Sequence, residues 1–220
     1  DTAKITAKNF TRNNFSLSLN SETSNLFRSI PENSFDAVTY TGLDPNAEGL
    51  PIPIYYGYYS VAQAPVVTCI DTAYGWNVYQ FKISDHAILD ITQVYVDYGD
   101  GDGCQTIGHA NESLALATFT ISSATFVVGT SRIKAAFQGK ASGGNLIEGA
   151  PEIVEDILTD VLDYVAGDLN AAAFTASEAA SEVQLNVSID TVTPVIDVIE
   201  KICTSDFAFF DGDADDKLRY

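Results

Sequence analysis

Three prolines and two glycines fall within the fourteen residues Asp44-Pro-Asn-Ala-Glu-Gly-Leu-Pro-Ile-Pro-Ile-Tyr-Tyr-Gly57. Each proline fixes its own φ, lacks an N–H, and pushes the residue before it out of the α region. The segment is therefore expected to be an extended, non-helical connector that delivers the chain into a sheet, bending at Gly49 and Gly57. It separates residues 1–43 from everything downstream. Within that first stretch Phe15, Leu17 and Leu19 alternate with Ser16, Ser18 and Asn20, as a strand does. The spacing predicts the end of a preceding β domain, with a loop over 31–49.

From Ile52 to Phe137 the period is two. Tyr79, Phe81 and Ile83 alternate with Val78, Gln80 and Lys82, and Thr92, Val94 and Val96 with Ile91, Gln93 and Tyr95. Gly99-Asp-Gly-Asp-Gly103 is a turn signal, and further short runs lie at Leu114–Ile121, Thr125–Val128 and Ile133–Phe137. Many short strands divided by turn residues predict a barrel or sandwich over residues 44–139.

After Gly139-Lys-Ala-Ser-Gly-Gly144 the period changes. Ile153, Val154, Ile157, Leu158, Val161, Leu162 and Val165 recur at helical steps, opposite Glu152, Glu155, Asp156, Asp160 and Asp163. Pro151 opens this helix and Gly167 is expected to close it. A second helix is read at Ala171–Ala180 and a strand along Val183, Leu185, Val187 and Ile189. Thr193-Pro194 is expected to cap a third helix bearing Val195, Ile196, Ile199, Ile202 and Cys203. A terminal hairpin turns at Asp211–Asp216. The expected fold class is thus α+β and β-rich: a barrel or sandwich-like domain, then a smaller module over 145–220 with about three helices and that hairpin.

The net charge of −19, from 30 acidic and 11 basic residues, disfavours phosphate backbones and anionic headgroups as partners. No apolar run approaches the ~18–20 residues of a membrane span. The chain has no methionine and starts at Asp1, which reads as a piece of a longer polypeptide. Cys69, Cys104 and Cys203 show no CxxC spacing and read as reduced thiols. Asn9, Asn14, Asn111 and Asn186 sit in glycosylation-type triplets, which are common by chance.

Few residues have the spacing that site chemistry needs. Asp211, Asp213 and Asp215 have the alternate spacing of a calcium loop. Asp216 stands where such a loop needs glycine, however, and no closing glutamate comes after it. Asp97, Asp100 and Asp102 match neither an EF-hand nor a calcium repeat, so both acidic stretches read as solvated turns. Cys104 and His109 would make half a zinc site with no second pair at a recognisable spacing. Asp85-His86 has the look of a dyad, yet no nucleophile elbow accompanies it. Tyr55, Tyr56, Tyr58 and Tyr59 would suit a carbohydrate-stacking groove, but tyrosine is also a good strand and interface residue, and a core or subunit contact is the expected role. No catalytic, cofactor-binding or metal residue is assigned, and the reading is non-enzymatic.

Several blocks nevertheless resemble, in the same order, segments of bacteriophage and prophage tail proteins. Pro45-Asn-Ala-Glu-Gly-Leu-Pro-Ile-Pro-Ile-Tyr-Tyr-Gly57 is similar to a segment that carries those chains into a β domain. Asp85-His-Ala-Ile-Leu-Asp-Ile-Thr-Gln-Val-Tyr-Val-Asp97, Ile133-Lys-Ala-Ala-Phe-Gln-Gly139 and Ala150-Pro-Glu-Ile-Val-Glu-Asp-Ile-Leu158 resemble the later strands and the helix of those proteins. Val198–Cys203, Phe209–Gly212 and Lys217–Tyr220 are similar to their helix-then-hairpin ending. Residues 103–128 depart from the pattern, and residues 1–20 match nothing. The resemblance is to the tail-tip or baseplate-hub type. It implies a virion structural protein, assembled in the bacterial host cytoplasm. Such a protein closes the tail tube as a homotrimer and scaffolds fibres or other tail components, with no cofactor. The acidic balance would then suit a conduit that does not trap a passing polyanion.

Overall fold

Alternation along 78–83 and 93–96 sends every second side chain to one side of a sheet, and a strip of such strands curls to bury that side. The computed structural model of the chain describes residues 25–98, 103–165, 167–181, 183–206, 208–212 and 217–220. The expected strand over 15–20 lies outside them. The strands of the β region are β2 (Ile54–Tyr56), β3 (Tyr58–Tyr59), β4 (Val66–Gly75), β5 (Val78–Lys82), β6 (Asp90–Asp97), β7 (Gln105–Ile107), β8 (His109–Ser113), β9 (Thr118–Ser122) and β10 (Arg132–Gln138), after a short β1 (Ser29–Ile30).

All pairings in the main sheet are antiparallel, in the order β7-β6-β10-β4-β5-β9-β8, with β3 added beside β10. The two ends of that path, β7 and β8, are separated in the chain by Gly108 alone. One residue thus joins the first strand of the strip to the last, and the seven strands form a nearly closed barrel. Phe81, Phe119, Ile121, Val94, Val96, Ile133 and Phe137 fill its core, each at most 1% exposed. Phe81 stacks on Phe119 with ring centroids 5.5 Å apart, and Phe126 meets Phe81 edge-on at 5.6 Å. The fold is β-rich α+β, as the periodicity indicates.

By contact the chain forms two units. One is Pro31–Glu148 with Leu185–Val192; the other takes residues 25–30, Gly149–Gln184 and Thr193–Tyr220. The segment 185–192, expected in the C-terminal module, lies with the β unit because β11 (Val187–Ile189) pairs with β2. Residues 31–49 are more than a loop. Phe35, Leu43 and Ala47 bury against Ile52 and Ile70, and Pro45–Ala47 is a 3-10 turn whose N–H of Asn46 bonds the Asp44 carboxylate at 2.9 Å. Thr125–Val128 forms no strand; the Ser123 hydroxyl there accepts the Phe126 N–H at 3.2 Å and holds a bend.

In the second unit α1 (Ala150–Asp156) runs on as a π-helical turn, Ile157–Val161. The Leu162 N–H reaches the Ile157 carbonyl at 3.1 Å, and Asp163, at φ 58°, ends the helix four residues before Gly167. That early end leaves Val165, expected on the apolar face, 64% exposed. α2 (Ala171–Ala180) is capped by the Asn170 side chain. α3 (Val195–Ser205) buries Val195, Val198, Ile199, Ile202 and Cys203. Thr193 does not cap it: Thr193–Pro194 pairs with β1, and the position before the helix is Pro194. The chain end forms a two-stranded hairpin of Asp211–Gly212 with Leu218–Arg219. Its Leu218 N–H and C=O bond Asp168 and Asn170.

Phe119 has no exposure and Phe209 is 83% exposed. Phe119→Ala should cost about 3–5 kcal/mol of unfolding free energy in chemical denaturation, and Phe209→Ala should stay within about 0.5 kcal/mol.

Candidate functional site

Main-chain groups from four distant parts of the β unit converge on β2. A strand entered from Pro51 and Pro53 cannot use every donor position in a regular ladder, so the surroundings must supply partners one by one. The Tyr55 N–H donates to His86 Nε2 at 3.0 Å, and the Tyr55 carbonyl accepts from the Lys140 N–H at 2.9 Å. The Gly57 carbonyl accepts from the Gly139 N–H at 2.9 Å, and the Gly57 N–H donates to the Ile147 carbonyl at 3.0 Å. The next donor, the Tyr58 N–H, finds the Asn186 side-chain carbonyl at 2.9 Å. The Pro53 carbonyl accepts from both the Asp85 N–H and the Ser84 hydroxyl. On its other side β2 pairs with β11, Ile54 to Ile189 and Tyr56 to Val187.

Two glycines make this approach possible. A Cβ on Gly139 would sit 2.5 Å from the Tyr55 carbonyl oxygen. Gly57 has φ +84°, and a Cβ there would collide with the Leu185 carbonyl. The bends expected at Gly49 and Gly57 are both present, at φ +78° and +84°.

His86 is held neutral. A main-chain N–H can only donate, so Nε2 accepts from Tyr55 and the ring proton sits on Nδ1, 2.7 Å from the Ala87 carbonyl. Burial is the main cause that pushes its pKa down to about 4, with the Lys140 and Lys82 charges adding to it. The bond to Ala87 and the Asp85 charge work the other way. The Asp85 carboxylate is bonded by the Asn33 amide at 2.9 Å. Both ring nitrogens are engaged with the main chain, so the arrangement holds a strand in place and leaves the imidazole no lone pair or proton to offer a substrate. Nearby, Lys82 is only 9% exposed; its ammonium donates to the Leu116 carbonyl at 3.0 Å, and burial lowers its pKa.

The four tyrosines separate. Tyr55, Tyr56 and Tyr59 are 4%, 0% and 6% exposed, and only Tyr58, at 42%, shows a face to solvent. Tyr55 and Tyr59 pack with Phe137, Tyr59 stacked at 5.0 Å and Tyr55 edge-on at 5.2 Å. Asp97 ends β6 opposite Arg132, while Asp100 and Asp102 lie outside the described residues. Asp211 is gripped by the Arg219 guanidinium through Nε and Nη2, and Asp213, Asp215 and Asp216 lie outside the described residues. Cys104 is exposed, and His109 Nε2 lies 3.0 Å from the Glu112 carboxylate. Among the described residues no three His, Cys, Asp or Glu side chains gather as metal ligands. Cys69 and Cys203 are buried, and burial pushes both thiols up to about 12. No described helix is long and apolar enough to cross a membrane.

Nothing in the local pattern says that His86 serves Tyr55, thirty-one residues away. The usable signal is a histidine directly after a Ser-Asp pair, in a chain whose proline-interrupted strand lacks ladder partners. No protein-family model, curated protein or solved structure matches the chain.

Free His86 takes its proton near pH 6.5, and folded His86 only near 4. Between those values the unfolded chain binds more protons, so the stability that comes from neutral His86 is complete above pH 6.5 and falls as pH drops towards 4. The slope for one proton is about 1.4 kcal/mol per pH unit. In His86→Gln the amide carbonyl can still accept from Tyr55 but does not titrate. Unfolding measured from about pH 7 to 4 should therefore show the wild type losing stability relative to the variant at close to that slope. Parallel profiles would refute the burial of a neutral ring.

Proposed function

We propose that the chain is a non-catalytic structural segment of a phage or prophage tail hub or tip protein. In this reading it helps close the tail tube as a homotrimer and scaffolds fibres or other tail components. One observation carries the reading. Three of the blocks that resemble tail proteins, at 45–57, 85–97 and 133–139, are far apart in sequence and meet at β2 through Tyr55, Gly57, His86 and Gly139. Residues of these three blocks thus hold the scaffold of the β unit, as a structural role would require. The charge of −19 supports the same reading, since an acidic lumen lets a polyanion slide past without capture.

The test is light scattering with electron microscopy on the longer polypeptide that would contain this segment. A three-fold ring with an axial opening is the expected result. A polypeptide that stays monomeric and forms no ring at any length would overturn the proposal.

A further inference from the structure

Neither α2 nor α3 carries a basic residue in its last turn. A helix gathers partial negative charge on its last carbonyls, and a Lys or Arg commonly answers it there. α3 instead puts a carboxylate at that end. Asp206 is the residue after its last turn, and the Asp206 N–H bonds back to the Ile202 and Cys203 carbonyls at 3.2 Å. α2 closes on Ser181 in the same position, and the Ser181 hydroxyl donates to Asp206 Oδ1 at 2.8 Å. The negative ends of two helices are thus tied together through one aspartate. From the terminal hairpin the Tyr220 hydroxyl donates to Asp206 Oδ2 at 3.0 Å, while the Ser177 hydroxyl holds the main-chain oxygen of Tyr220 at 3.1 Å. Burial, with the nearby Cys203 and the bond to Asp206, pushes the Tyr220 pKa up, so the phenol stays a neutral donor.

These groups line a cleft of about 480 Å³, a volume in the range of small-molecule sites. The small side chains of Ala180 and Ala208 leave its walls open, and the Phe209 ring on its rim is 83% exposed. Arg219 also lines it, but its guanidinium grips the Asp211 carboxylate through Nε and Nη2, so these two charges offset each other. The charge left over is that of Asp206. Each of its oxygens accepts one hydroxyl and has lone-pair capacity for another donor. An anion would meet a carboxylate and two negative helix ends at once. A bare divalent ion needs several oxygen ligands, and among the described residues no three His, Cys, Asp or Glu side chains gather. An organic ammonium fits both halves of the cleft: its N–H groups suit the carboxylate, and its charge is drawn to aromatic faces.

We propose that this cleft binds a small organic ammonium, a protonated primary amine with an aromatic or apolar body. The ammonium donates to Asp206 between the ends of α2 and α3, and the body lies against the ring of Phe209. The amine supplies at these helix ends the positive charge that the sequence leaves out. Because the attraction is between opposite charges at a partly exposed site, added salt should weaken it. The cleft lies wholly within the second unit and uses none of the residues at β2, so this inference stands apart from the tail-hub reading. Either can hold without the other.

The test is a titration of the 220-residue chain with phenethylammonium chloride at neutral pH, followed by calorimetry and by amide chemical shifts. The expected result is saturable binding with a millimolar or tighter Kd, and shifts centred on Ser181, Asp206, Ala208, Phe209 and Tyr220. Phenylacetate and phenethyl alcohol, which keep the ring and lose the positive charge, should not saturate the same amides. Asp206→Asn leaves the Ser181 and Tyr220 hydroxyls a side chain to bond but removes the charge, and should weaken the amine by about tenfold or more. Phe209→Ala, at an exposed ring whose loss the fold tolerates, should weaken it by about two- to fivefold. Four results would overturn the proposal. One is the lack of any saturable binding. Another is binding that either folded variant leaves unchanged, which would put the amine elsewhere on the acidic surface. The third is phenylacetate binding as well as the amine does. The last is calcium chloride alone producing the same shifts and displacing the amine, which would make the cleft a metal site.

Discussion

Backbone meets backbone at Gly57 and Gly139, and the β unit is organised around that close approach. β10 leaves the barrel at Gln138 and must pass near enough for the Gly139 N–H to reach the Gly57 carbonyl and the Lys140 N–H to reach Tyr55. A side chain at Gly139 would occupy the space of the Tyr55 carbonyl. That contact in turn fixes Tyr55 and Tyr59 against Phe137, which also belongs to the barrel core. The join between the connector and the barrel is therefore made of hydrogen bonds on one side and stacked rings on the other. The polar half is costly to break, because the donors of a buried strand have no water to turn to.

His86 shows how the geometry settles a chemical question. An Asp-His pair in a sequence invites an acid–base reading. Here the aspartate bonds Asn33, the ring accepts from a main-chain amide, and its remaining N–H faces a carbonyl. Burial keeps the ring neutral, and neutrality lets Nε2 accept. The pKa shift thus arises from a structural duty.

Much of the architecture is legible in local pattern. The alternation at 78–83 and 93–96 is that of real barrel strands. At the start of β6 a register shift opposite Ala136 and Phe137 buries Ile91 and exposes Thr92, against the expected alternation. The apolar steps from Ile153 to Leu162 are those of a helix. Misreadings arise where a distant partner decides. Val187–Ile189 looks like part of the C-terminal module until its pairing with Ile54–Tyr56 places it in the β unit. Thr193-Pro194 looks like a cap, but its main chain is taken by Ser29–Ile30. Val165 keeps the helical period on paper, yet a π turn and the left-handed Asp163 end the helix before it. Short strands such as Gln105–Ile107 are equally hidden, since their residues, Gln-Thr-Ile, carry little alternation and their order comes from β6. The bends at Gly49 and Gly57 are readable because φ there depends on the residue itself.

The same division separates the junction at β2 from the hairpin tip at Trp76. The junction at β2 is assembled from residues across the β unit, and its role emerges only when the main-chain partners are traced. The hairpin tip at Trp76 is local in sequence, yet nothing in its residues marks it beforehand, and only its 94% exposure sets it apart. Native-state hydrogen exchange at the amides of Tyr55, Gly139 and Lys140 is the sharpest probe of the junction. If it holds the β unit together, these three should exchange as slowly as the amides of the central barrel strands, opening only with global unfolding. If they exchange at the rate of exposed turn amides while the barrel strands remain protected, the junction is an ornament on a barrel that stands without it.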